Sequence, residues 1–356
     1  MTPQAALAAL IDRRDLAREE MLSVMGQIMG GELTPVQIAG ILVALRCKGE
    51  TVTELAAAAQ VMRELATKVP LERVDHLVDT CGTGGDGART FNISTAAALV
   101  AAAAGARVAK HGGRSVSSTC GSADVLEALG VNVNLTPGEV AQCVNEIGVG
   151  FMFAPSHHSA MRFAAPVRRE LGVRTLFNLL GPMTNPAGAR NQVMGVFGRD
   201  LVGKLARVLK ELGSRHVMVV HAADGLDEIS LGGYTFVAEL KDGEVGEYVL
   251  SPAEFGLEPA PSERLAVHDV AQAKAMFLAA LENRPGPARD IVMLNAGAAI
   301  YVAGLAPTLS EGVDRARAAL ESGAAAEKLR QLVAFSSRYD IEDAKRHHPS
   351  PPRGES

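Results

Sequence analysis

Residues 79 to 95 read DTCGTGGDGARTFNIST, where four glycines fall within six positions, an aspartate sits among them, and the run closes on hydroxyls and an amide. A glycine-rich loop between a strand and a helix lets backbone amides approach an oxyanion closely, and the helix N-terminus adds a favourable dipole. That arrangement points to phosphate. Gly82, Gly84 and Gly87 satisfy a GxGxxG spacing, yet a dinucleotide site also wants an acidic residue about 20 positions on. The chain has Arg107 and Lys110 in that region, which disfavours NAD, and Ala88 and Arg89 after the last glycine break the P-loop pattern. Taken alone, the motif reads equally well as a tight turn without a ligand.

It does not stand alone. The next stretch, KHGGRSVSSTCGSAD, crowds Lys110, His111, Arg114, Ser117, Ser118 and Ser122 at the end of a second predicted strand. Open parallel sheets bind ligands at that edge. Two such loops supply more amides, hydroxyls and cations than one phosphate needs, so a substrate with several phosphates fits better. A third stretch, HAADGLDEIS, follows another predicted strand and sets Asp227 beside Glu228. By itself such a pair is a solvated turn; beside a polyphosphate it suits magnesium, which binds through few carboxylates and keeps its waters. Arg168 in VRRE reads, in isolation, as a surface ion pair. His157 and His158 cannot share one helix face, and we assign them no catalytic role.

These groups need a scaffold. The first seventy residues carry only helical patterns, including Thr34 and Pro35 as a helix start and Thr51 with Glu54 at capping-box spacing. From His76, short apolar runs alternate with helical stretches: HLVDTCG, STAAALVAAAAG, ARVAKHGG, GSADVLEALG, VNVNL, PGEVAQCVNEIG and VGFMFA. Alternation of this kind argues for β-α-β units. Residues 234–250 read as a hairpin around Asp242 and Gly243. The expected fold is α/β, with a small all-helical domain and a larger α/β domain built on a mostly parallel central sheet. Residues 1–72 form the helical domain, completed by about 165–190; residues 73–164 and 191–345 form the α/β domain; and 346–356 is a frayed tail.

Composition bounds the partners. The chain has 356 residues, 47% hydrophobic and 21% charged, with a net charge of -5, which offers no field for nucleic acid or an anionic membrane. We expect a small-molecule partner. Cys47, Cys81, Cys120 and Cys143 form no CxxC pair, as expected of reduced thiols in the cytoplasm. Neither a secretory leader nor a membrane span is expected.

Set together, GTGGDG...TFNIST, KHGGRSVSS, GSAD, the APVRRELGVRT run with its FN, LGP and TNPA blocks, and DGLDE resemble the anthranilate phosphoribosyltransferase family, in family order and along most of the chain. The resemblance implies transfer of the phosphoribosyl group of phosphoribosyl pyrophosphate to the amine of anthranilate, as in tryptophan biosynthesis, with Mg2+ as cofactor and a homodimer formed through the helical domain. It implies that Gly82, Gly85, Asp86, Thr90, Asn92, Ile93, Ser94 and Thr95 contact phosphoribosyl pyrophosphate. The same role extends to Lys110, His111, Gly112, Gly113, Arg114, Ser115, Val116, Ser117, Ser118 and Ser122. Lys110 and Asp86 are the expected catalytic residues; Ser94, Asp227 and Glu228 would hold the metal; Gly82, Gly113 and Arg168 would meet anthranilate, Arg168 through its carboxylate. One position departs from the pattern: the family shows KHGN where this chain has KHGG, so Gly113 stands in place of an asparagine. The alternatives are a pyrimidine nucleoside phosphorylase, whose glycine loop and helical domain are similar, and a non-catalytic phosphosugar-binding relative.

Overall fold

The computed structural model describes residues 1–114 and 120–347. Ser115, Val116, Ser117 and Ser118, expected at the phosphorylated substrate, lie outside the described residues, as does 348–356 of the expected tail.

Four helices open the chain: α1 (Pro3–Ile11), α2 (Arg18–Gly30), α3 (Pro35–Lys48) and α4 (Val52–Leu65). Thr2, Thr34 and Thr51 cap α1, α3 and α4, each hydroxyl accepting from the N–H three residues on. Gln37 and Glu54 complete two capping boxes, so the local sequence fixes these starts. Glu54 is fully buried; it accepts from Leu16 N at 2.8 Å and from Lys48 Nζ at 2.9 Å, which ties α3, α4 and the turn before α2 together.

The sheet holds β1 (Leu77–Asp79), β2 (Arg107–Gly112), β3 (Val149–Phe153), β4 (Asn191–Gly195), β5 (His216–Ala222), β6 (Thr235–Lys241) and β7 (Glu244–Leu250). Their order is β3-β2-β1-β4-β5-β6-β7. The first five run parallel, and β6 and β7 add antiparallel through the hairpin. Strand order reverses between β1 and β4, which makes the carboxyl ends of those strands the crevice where such sheets bind ligands.

Helices α5 (Ile93–Ala103), α6 (Ser122–Ala128) and α7 (Pro137–Ile147) connect the first strands. After β3 come α8 (Ala154–His157), α9 (Ala165–Leu171) and α10 (Phe177–Leu180), then α11 (Leu201–Glu211) between β4 and β5. The chain continues with α12 (Val270–Leu281), α13 (Pro287–Val302), α14 (Leu309–Glu321) and α15 (Ala324–His347). The alanines of α5 are nearly inaccessible, and their small side chains let it pack closely against α13, whose residues Ile291 to Val302 are all buried. Gly297 of α13 meets α14 so closely that a Cβ there would lie 2.7 Å from Val313 N and Cα. One large core fills this side of the sheet. On the other side, Met194, Val196, Val217 and Val219 pack into the same core as α2, α3 and α4, so the helical block covers a sheet face directly.

One expectation is corrected. The segment Val131 to Leu135 is not a strand. Its valines and leucine do point inward, but Asn132 N donates to Ser336 Oγ and Asn134 N to Asn132 Oδ1, so side chains take the amides that a ladder would use. Ala160, Met161 and Ala164 pack into the core of the helical block, and Phe163 closes over Gly31. Phe163 fits there because Gly31 ends α2 with φ 76° and no Cβ, which would sit 2.4 Å from the ring.

Candidate active site

The glycine loop leaves the carboxyl end of β1 and runs into α5. Gly84, Gly85 and Gly87 have φ of 64°, 80° and 79°, a region that costs glycine nothing and other residues about 1–2 kcal/mol. Among the described residues, the N–H groups of Gly85, Asp86 and Gly87 find no protein acceptor, so the loop offers free donors. Its base is held against β4: Thr83 N donates to Gly195 O at 2.9 Å, and Phe197 N donates to Thr83 Oγ1 at 3.2 Å.

The turn after β5 is bound into this loop. Gly84 N donates to Asp227 Oδ2 at 2.8 Å, and Ser94 N in the first turn of α5 donates to Glu228 Oε1 at 3.1 Å. Asp86 Oδ2 lies 3.5 Å from Asp227 N. Gly195 admits this turn because it has no side chain: a Cβ there would lie 1.5 Å from Asp227 O. Asn295 of α13 clasps the next residue, its Nδ2 donating to Ile229 O and its Oδ1 accepting from Ile229 N, both at 2.9 Å. Thr80, Gly82, Ser94, Asp227, Glu228 and Asn295 thus line one small polar cavity.

Lys110, on β2, is buried, and its ammonium donates to Thr80 O at 2.7 Å and to Ser94 Oγ at 3.3 Å. It therefore reaches the N-terminus of α5 from below. Asp79 sits beneath it, accepting from His111 N at 3.2 Å and from Asn185 Nδ2 at 2.7 Å. Burial raises the Asp79 pKa to about 6 despite the Lys110 charge. Asp227 and Glu228 keep some accessible surface toward the cavity but are otherwise walled in by protein. Their pKa values are raised above the carboxylate range, by burial first and then by a neighbouring negative charge, that of Asp86 for Asp227 and that of Asp227 for Glu228. Crowded anions of this kind are relieved by a cation. Among the described residues no three His, Cys, Asp or Glu side chains gather to enclose an ion, so the donor set fits a metal held by two carboxylates, water and substrate phosphate, as magnesium is.

Other expected residues fall around this centre. Asn92 precedes α5, and its Nδ2 donates to Cys120 O at 3.0 Å; Ile93 and Thr95 are buried in the first turn of α5; Thr90 bridges to Ala266. Gly112 and Ser122 touch, since a Cβ on Gly112 would lie 3.2 Å from Ser122 Oγ. Arg114 does not reach the glycine loop. Its guanidinium pairs with Asp124 at 2.9 Å and Glu127 at 2.6 Å, carboxylates of α6 that lie nearer in sequence.

A second region faces the loop from the helical side. His111 and His158 lie with ring centroids 5.1 Å apart, and burial pushes their pKa values down to about 3 and about 4, so both rings are neutral. Arg168 on α9 is half-buried over the Phe177 ring, 5.4 Å from its centroid, with no carboxylate partner among the described residues. Arg174, six residues on, reaches Gly85 O and stacks over Phe197 at 4.1 Å. The motifs did not single out Asp79, Asn185, Gly195, Arg174 or Asn295; Asp79 adjoins the glycine loop, Asn185 lies in the TNPA block and Arg174 in the APVRRELGVRT run, whereas Gly195 and Asn295 carry no sequence signal.

The family model described as the a/b domain of the glycosyl transferase family matches residues 74–326, and the helical bundle domain of that family matches 4–66. An anthranilate phosphoribosyltransferase from Thiobacillus denitrificans is 66% identical over 95% of this chain and 98% of its own; one from Chromobacterium violaceum is 63% identical over 95% and 99%. Among solved structures, the anthranilate phosphoribosyltransferase of Thermus thermophilus superposes with a TM-score of 0.88 at 47% identity, covering 93% of this chain and 99% of that one. The Saccharomyces cerevisiae enzyme, described in complex with PRPP and Mg, gives 0.80 at 25% identity, covering 90% and 92%. With both domains matched in order and nearly the whole length shared with these enzymes, the chain belongs to the anthranilate phosphoribosyltransferase family.

Proposed function

We propose that the chain transfers the 5-phosphoribosyl group of phosphoribosyl pyrophosphate to the amine of anthranilate, giving N-(5-phosphoribosyl)anthranilate and pyrophosphate. The observation that carries this reading is the convergence of the glycine loop, the N-terminus of α5, Lys110 and the Asp227–Glu228 turn on one cavity. The amine nitrogen attacks the anomeric carbon, the bond from that carbon to the diphosphate oxygen breaks, and the diphosphate leaves with the electron pair. The amine proton passes to water or to the departing pyrophosphate. An aromatic amine is neutral at pH 7, so attack needs no strong base; the demand is to hold the reactants together and to stabilise the leaving group and a cationic sugar.

The free amides of the loop cradle the diphosphate, and Lys110 lends positive charge through the start of α5. Asp86, Asn92, Ile93, Ser94, Thr95 and Ser122 surround the same donor. Asp227 and Glu228, with Ser94, would hold magnesium, as the neighbouring yeast structure with PRPP and Mg supports. Bound there, magnesium supplies charge that offsets the diphosphate. Arg168 takes the anthranilate carboxylate, because a planar guanidinium can bond both oxygens and this one has no carboxylate partner among the described residues. Neutral His111 gives a ring surface and no base. Anthranilate fluorescence tests the reading: it should fall only when phosphoribosyl pyrophosphate and magnesium are both present, whereas turnover of thymidine with phosphate in its place would assign the site to the phosphorylases.

Gly113 has ordinary backbone geometry, and among the described residues a Cβ there would meet only Ala154 Cβ at 4.0 Å. The backbone therefore accepts a Cβ without strain. Gly113→Asn should raise kcat/KM for anthranilate by roughly two- to tenfold, the worth of one neutral hydrogen bond, at unchanged melting temperature. No gain at equal stability would show that no contact is missing.

A homodimer through the helical domain is supported by an apolar groove on α1 and α3, where Ile11, Val36 and Val43 are 66%, 80% and 39% exposed. Sedimentation should return a dimer, and Val36→Asp with Val43→Asp a monomer; a wild-type monomer contradicts this. No helix among the described residues is long and apolar enough to cross a membrane, and the four thiols are free, which supports a cytoplasmic location.

A further inference from the structure

We propose that Arg174 is a positioning residue that locks the peptide between Gly85 and Asp86, keeping its N–H turned toward the donor diphosphate; this rests on the phosphoribosyl transfer proposed above. Arg174 lies in the exposed turn after α9, outside every donor-binding motif the sequence displays. Its Nη2 donates to Gly85 O, and its guanidinium plane is stacked on Phe197. Phe197 N in turn donates to Thr83 Oγ1, so the platform that carries Arg174 is itself fastened to the base of the glycine loop.

The need for such a lock follows from the loop's own chemistry. No peptide bond among the described residues is cis, so the carbonyl of Gly85 and the N–H of Asp86 point in opposite directions. Holding the carbonyl therefore fixes the direction of the amide. Glycines at 84, 85 and 87 leave both hands of φ open, and local sterics do little to oppose rotation of this peptide. The N–H of Asp86 has no acceptor among the described residues that would hold it instead. Rotated, the peptide would present a carbonyl oxygen to an anion. Gly84 N donates to Asp227 Oδ2 and Asp227 N to Asp86 Oδ2, while Ala88 N donates to Asp86 Oδ1, so these contacts tie down the residues on either side but leave the Gly85 carbonyl to Arg174.

The test is made on the full chain with Arg174→Ala and Arg174→Lys. Calorimetry with phosphoribosyl pyrophosphate and magnesium, without anthranilate, should show Arg174→Ala weakening donor binding about tenfold, the loss expected when one charge-assisted hydrogen bond stops holding a binding group. Arg174→Lys, which can still donate to the carbonyl, should recover most of it. In the ligand-free protein, NMR relaxation dispersion should show new microsecond-to-millisecond exchange at the Gly85 and Asp86 amides in Arg174→Ala and none in Arg174→Lys. The KM for anthranilate and the melting temperature should hardly move. Unchanged donor binding in Arg174→Ala overturns the proposal. So does weaker binding with those amides unaltered, which would make Arg174 a direct charge contact to the diphosphate. Failure of the wild type to bind the donor at all would instead remove the proposed reaction, and this inference with it.

Discussion

Asp227→Asn combined with Glu228→Gln is expected to lower kcat/KM for phosphoribosyl pyrophosphate by about 10²- to 10³-fold, the scale seen when one preorganised electrostatic group is removed from an active site. Each amide keeps an oxygen in place for its N–H donor, Gly84 N for residue 227 and Ser94 N for residue 228, so the cavity should retain its shape. What disappears is the negative charge that would hold magnesium. The same change should leave stability intact or improve it without magnesium, because burial and repulsion from neighbouring carboxylates disfavour both charges in the free protein. Loss of activity with a melting temperature that is unchanged or higher separates a binding role from a structural one. An unaltered magnesium titration would show the pair to be an ordinary turn.

Arg168→Ala should raise the KM for anthranilate by roughly tenfold to a hundredfold, since a charge-assisted hydrogen bond is worth about 1.5–3 kcal/mol. The KM for phosphoribosyl pyrophosphate should hardly change, because Arg168 stands on α9 with its charge over Phe177, outside the loop contacts proposed to hold the donor. Arg168→Lys should rescue only in part: an ammonium cannot bond both carboxylate oxygens in the planar fork of a guanidinium. Equal losses for both substrates, with a lower melting temperature, would place Arg168 in the fold and not at the acceptor.

These two sites differ in how openly the sequence declares them. The glycine loop, Lys110 and the Asp227–Glu228 pair follow strands that alternate visibly with helices, so their arrival at one sheet edge can be read from pattern alone. Arg168 could be singled out only through resemblance, since VRRE on a helix has the chemistry of many surface turns. Gly195 and Asn295 were illegible for a different reason. Each looks like a core residue in its own element, and its importance lies in a close approach to residue 227 or 229 that depends on how β4, β5 and α13 pack. Asp79 is a similar case, a carboxylate in a short strand whose partner Asn185 is 106 residues away. Val131 to Leu135 shows the limit of periodicity: the inward and outward alternation is real, yet side-chain acceptors replace a strand neighbour. The chain also carries its helical layer onto one sheet face without a linker, so composition gave no boundary at Ala160 or Met161.

The most direct measurement of the central claim is a phosphorus-31 NMR and mass-spectrometric balance on the purified chain with anthranilate, phosphoribosyl pyrophosphate and magnesium. The account predicts one pyrophosphate released for each anthranilate consumed, and a product whose mass equals anthranilate plus ribose 5-phosphate less one water. Pyrophosphate release that does not depend on anthranilate, or anthranilate left unmodified while the donor is consumed, would contradict it.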